Sequence, residues 1–101
     1  MQLYLKDETI NINGLTVQLL AAIGRAMLIW QEQGMDSLVI TSANDGEHKE
    51  GSLHYEGNAV DIRTRTLPDS VKAADRLRSV LHQDYDVLLY PTHIHVEWDP
   101  K

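Results

Sequence analysis

The spacing of apolar residues changes along the chain, and the changes mark its elements. Val17, Leu19, Leu20, Ile23, Met27 and Trp30 recur every three or four positions. That period predicts a main helix over 16–33, with Thr16 as its N-cap and Gly34 as the left-handed residue that ends it. Val71, Ala74, Leu77, Val80 and Leu81 predict a second amphipathic helix over 68–83, with Pro68 in its first turn. Elsewhere the period is two or the run is uniformly apolar. Ser37–Thr41 reads as a buried strand, Ala59–Thr64 as an alternating one, and Tyr85–Tyr90 and His93–Trp98 as a hairpin turning at Pro91-Thr92. Leu3–Leu5 and Thr9–Ile12 are short β-like pieces, the second followed by an Asn13-Gly14 turn. Residues 42–53 are polar and read as one long loop, the kind that carries function in a compact domain. The order predicts a single α+β domain over 1–101, a small, largely antiparallel sheet with helices packed on one face.

Alternation on the strands also sorts the polar residues. On 93–98, Ile94, Val96 and Trp98 must face the helices, so His93, His95 and Glu97 share the opposite face. On 59–63, Val60 and Ile62 face inward and Asp61 and Arg63 outward. If the two strands lie in one sheet, Asp61 and His95 project from the same surface. His54 then enters from the preceding loop, which Gly57 lets bend tightly. Two imidazole nitrogens and a carboxylate oxygen, with a fourth position open, make a zinc site of the catalytic kind. The alternative is a set of ordinary surface polar residues.

Composition narrows the chemistry further. The 101 residues include no cysteine, so disulfides, thiol nucleophiles and cysteine-type zinc sites are excluded, and any metal must use His, Asp or Glu. A formal net charge of -6 disfavours a nucleic-acid partner. No apolar run is long enough to span a bilayer, and the first eight residues carry no secretory signal pattern.

The run Ser52-Leu-His-Tyr-Glu-Gly-Asn-Ala-Val-Asp-Ile62, followed by His93-Ile-His95, resembles the Hedgehog signalling domain. It equally resembles the zinc D-Ala-D-Ala carboxypeptidases and L-alanyl-D-glutamate endopeptidases of bacteria and phages. The shared pattern is Ser-x-His-x-x-Gly-x-Ala-x-Asp and then His-x-His on a strand. The resemblance implies zinc held by His54, Asp61 and His95, with His93 beside the metal and Ser52 near a bound peptide. It implies a peptidase of D-amino-acid-containing peptidoglycan stem peptides. With no signal pattern, the expected setting is a phage or prophage product in the host cytoplasm or in a virion. One departure is plain. The peptidases carry an acidic general base shortly before the second His ligand, commonly three residues earlier, and here that residue is Thr92. The base is then open to His93, to Glu97, or to Asp45, Glu47 or Glu50 of the loop, where His48 also lies. Glu97 has a competing role, orienting His95 through its second nitrogen. Arg63 and Arg65, which follow Asp61, are candidate contacts for a peptide carboxylate, the alternative being ordinary surface arginines. The loss of the acid also supports a second reading, a zinc-binding module without catalysis that serves a phage or host protein partner.

Overall fold

Helix α1 (Val17–Glu32) begins where Thr16 adopts an extended backbone and its hydroxyl accepts the Leu19 N–H. It ends in a Schellman turn. Gly34, at φ +85°, lets its own N–H reach the Gln31 carbonyl while the Met35 N–H reaches that of Trp30. The buried stripe is Leu19, Ala22, Ile23, Ala26, Ile29 and Trp30. Val17 and Leu20, expected in that stripe, lie on the exposed side. Two alanines fill their place, because small side chains let the helix approach the sheet.

The structure is a computed structural model that describes residues 1–43 and 58–100. Its strands are β1 (Gln2–Leu5), β2 (Ser37–Ser42), β3 (Ala59–Arg63), β4 (Tyr85–Leu89) and β5 (His93–Trp98). Helix α2 (Ser70–Leu81) lies between β3 and β4. The five strands form one sheet in the order β1-β2-β3-β5-β4. The sheet is largely antiparallel, as expected. The exception is β1, which runs parallel to β2 because α1 carries the chain back across between them.

Several boundaries differ from the sequence reading. No strand forms over Thr9–Ile12: the Asp7 carboxylate accepts the Thr9 N–H at 2.9 Å and turns the chain, which buries Ile10 in the core. Helix α2 starts two residues later than the proline suggests. Asp69 is its N-cap, accepting the Lys72 N–H, and Pro68 stays outside. Val71 is exposed, and the inner face is Ala73, Ala74, Leu77 and Leu81.

Both helices pack on the face formed by Leu38, Ile40, Val60, Ile62, Val87, Ile94 and Val96. Trp30 is fully buried there. Arg78 closes α2 onto β4 by donating Nε and Nη2 to the Val87 carbonyl, at 3.1 and 3.0 Å. The other face of the sheet carries the polar set, and there Ala59 is also buried.

Candidate functional site

Sheet register brings the outward residues of β3 and β5 into rows. Ala59 pairs with Glu97, Asp61 with His95, and Arg63 with His93. On the far side of β5, Asp86 stands opposite Glu97 and Leu88 opposite His95. Cross-strand partners on one face are within side-chain reach, so residues 34 positions apart meet here.

The centre of the site is His95, whose ring nitrogens are divided between two carboxylates. Nδ1 lies 2.7 Å from Asp61 Oδ1, and Nε2 lies 2.9 Å from Glu97 Oε1. The three side chains are only 17–19% exposed. The hydrogen bond to Asp61 is the main cause that raises the His95 pKa above its ordinary value. Burial opposes the rise, and the Asp61 charge and Glu97 add to it. Glu97 thus contacts His95 through the ring nitrogen that Asp61 does not occupy. Both ring nitrogens thus face carboxylate oxygens, which fixes the plane of the ring and favours its protonated form.

His93 sits one row away. Its Nδ1 is 3.0 Å from Thr92 Oγ1, and its ring stacks on Tyr90 with centroids 4.9 Å apart and planes at 19°. Its Nε2 points toward Asp61, 3.9 Å from Oδ1. Thr92, the residue before it, thus contacts His93 through its hydroxyl.

A bulge in β2 shapes the next side of the site. Ile40 pairs with Ile62 but Ser42 pairs with Asp61, so two residues of β2 oppose one of β3. The shift keeps Ile40 and Ala43 both in the core and leaves Thr41 and Ser42 outside it. Thr41 Oγ1 donates to the Asp61 carbonyl at 3.4 Å. Thr41, Arg63, Arg65, Pro91, Thr92 and His93 line a shallow cavity of about 310 Å³ beside Asp61. The continuous apolar run Leu38-Val39-Ile40 gives no sign of the bulge. Asp86 was also missed, although the hairpin register alone would have placed it opposite Glu97. With Glu97 and Asp99 it forms an acidic cluster.

His54 and Ser52 lie outside the described residues, as do His48, Asp45, Glu47, Glu50 and Gly57. The described part of the expected site is Asp61, His95, His93, Glu97 and Arg63, and these five share one face of the sheet.

Among the described residues, two helices and a five-stranded sheet make an α+β domain with an Asp/His/Glu constellation on the sheet face away from the helices. The family model of the Hedgehog amino-terminal signalling domain matches residues 16–98, from the cap of α1 to the end of β5. The chain belongs to that family, and the match covers most of its length. No helix among the described residues is long and apolar enough to cross a membrane.

Proposed function

We propose that this Hedgehog-like domain is a zinc-dependent peptidase that cleaves D-amino-acid-containing stem peptides of peptidoglycan, encoded by a phage or prophage. The observation that carries the reading is the divided imidazole of His95. Asp61 Oδ1 lies at Nδ1 and Glu97 Oε1 at Nε2. An imidazole nitrogen beside a carboxylate oxygen, with a second carboxylate on the other ring nitrogen, is a donor set that suits zinc once the metal displaces the ring proton. His95 Nδ1 and Asp61 would hold the metal together with His54. Zinc bound there lowers the pKa of water and polarises a carbonyl.

The remaining chemistry belongs to the chain's own groups. Glu97 fixes the His95 ring. Thr92 and Tyr90 fix that of His93, and Thr92 occupies its Nδ1. Nε2 is then the nitrogen of His93 that takes a proton from attacking water and returns it to the departing amine. Glu97 is committed to His95, which favours His93 as the base. Ser52 and Arg63 are the proposed peptide contacts.

The second reading, a zinc-binding module without catalysis, draws support from Thr92. A hydroxyl bonded to His93 replaces the acid expected there.

One experiment separates the two. Zinc-loaded protein is incubated with purified muropeptides and the products are weighed by mass spectrometry. Loss of a D-alanine or a split stem peptide, abolished in His95→Ala, is the outcome expected of the peptidase. Stoichiometric zinc with every muropeptide intact would leave the binding module. Failure to retain zinc at neutral pH would remove both readings.

A further inference from the structure

The two edges of the sheet are finished differently. The Tyr90 N–H donates to the His93 carbonyl and the Asp99 N–H to that of Asp84, which turns the Val87 carbonyl to the open side of β4. Arg78 of α2 covers that carbonyl with two donors. On β1 the N–H groups of Gln2 and Lys6 donate to β2, so the N–H and carbonyl groups of Leu3 and Leu5 face away from the sheet. No side chain among the described residues meets them. Gln2–Leu5 holds no proline, charge or bulge, the devices that keep an edge strand from pairing.

This edge is also complementary to itself. Leu3 and Leu5 stand beside Leu38 and Ile40 of the core, yet are 38% and 37% exposed because the sheet stops there. Antiparallel pairing with a second β1 must match outward groups, so odd residues oppose odd ones. With a two-fold axis at Tyr4, Leu3 of each copy opposes Leu5 of the other, and the leucines extend the core face. Lys6 then opposes Gln2 of the second copy. It lies on the face where Gln2, Tyr4, Asp36 and Ser37 line a cavity of about 320 Å³. Asp36 has no cationic partner among the described residues, and Lys6 has only the exposed Asp7 at 3.8 Å. The pairing therefore brings Lys6 toward Asp36 at both ends of the seam. An axis at Leu3 would carry Lys6 past the partner strand, and one at Leu5 would set Asp7 against Leu3.

We infer that β1 is a homodimer interface, in which two copies join antiparallel through Gln2–Lys6 about a two-fold axis at Tyr4 and form one ten-stranded sheet. The same surface serves both copies, so the assembly closes at two. The axis stands perpendicular to the sheet, and both Asp61–His95 pairs face the same side. They lie five strand spacings apart, about 24 Å measured across the strands. The dimer thus offers two copies of the site to one extended partner. The pairing holds whether or not those sites bind zinc.

Sedimentation velocity of the full chain, from about 5 to 500 µM, should show the mass rising from that of one chain to that of two. Leu3→Pro removes an outward N–H and leaves the β1–β2 bonds in place, and Tyr4→Lys sets two like charges at the axis. Each should weaken dimerisation at least about tenfold, with backbone NMR signals outside β1 unchanged as the check on folding. Lys6→Glu should also weaken the dimer, and adding Asp36→Lys should restore it. The position of the axis is read by crosslinking, because the chain has no cysteine of its own. Directly opposed residues of a non-hydrogen-bonded pair have Cα atoms about 4.5 Å apart, which suits a disulfide. Tyr4→Cys should therefore oxidise to a covalent dimer, whereas Leu28→Cys, exposed on α1, should not. A single-chain mass throughout, assembly beyond two copies, or dimerisation indifferent to both Leu3→Pro and Tyr4→Lys would each overturn the interface. So would crosslinking through Leu28→Cys in place of Tyr4→Cys, and failure of the Asp36→Lys rescue would overturn the register.

Discussion

Replacing Glu97 with Gln tests the arrangement around His95 most directly. The carboxylate lies 2.9 Å from Nε2, and both side chains are more than four-fifths buried, so solvent screens their interaction weakly. Gln preserves size and leaves one oxygen able to accept the hydrogen bond, but it removes the charge. Loss of such an orienting partner lowers metal affinity by about 10–100-fold, or roughly 1.4–2.7 kcal/mol. The assay is zinc competition against a chromophoric chelator. It is run at about pH 8, so that the proton competes less for Nδ1 even though the His95 pKa is raised. The expected result is a tenfold or greater rise in the zinc Kd, with the thermal transition of the metal-free protein moved by no more than a few degrees. Wild-type zinc affinity in Glu97→Gln would refute the view that Glu97 orients a metal-binding imidazole. Asp61→Asn is the reference variant, because it removes a proposed ligand and should weaken zinc further.

Three other outcomes follow from the fold and the site. Gly24 is an exposed position inside α1, and a Cβ built there meets nothing within 4 Å. Gly24→Ala should therefore stabilise the protein by about 1 kcal/mol in urea unfolding. His82 ends α2 at φ 65° and ψ -168°, a region suited to glycine. His82→Gly should raise the midpoint of thermal unfolding, by relief of roughly 1 kcal/mol of backbone strain. In metal-free protein the His95 pKa is raised mainly by its hydrogen bond to Asp61. Protonated His95 therefore contributes stability that is fully present below about pH 6.5 and lost as pH climbs through the raised value. The difference in unfolding free energy between wild type and His95→Gln, followed from pH 5 to 9, should shrink in that direction. A difference that grows with pH would contradict the assignment.

Local patterns in the chain were enough to specify much of this protein. Three- and four-residue spacing located both helices, because any helix must bury one face. Two-residue alternation set His93, His95 and Glu97 apart from Ile94 and Val96, because a strand has only two faces. The run from Ser52 to Ile62 and the His-x-His pair pointed to the Hedgehog-like family. What no local pattern carried was contact between distant segments. Val17 and Leu20 fit the helical period as well as Ala22 and Ala26 do, and only packing against the sheet chose the small residues. The β2 bulge that keeps Ala43 in the core depends on the partner strand, as does the parallel placement of β1. The role of Glu97 was equally undecided from its own strand. Its contact with His95 Nε2 depends on β3, which sets Asp61 against the other ring nitrogen. Residue types and their periods thus determined which side chains could take part in the site. Sheet register decided which of them meet, because hydrogen-bonded strands bring together residues that lie far apart along the chain.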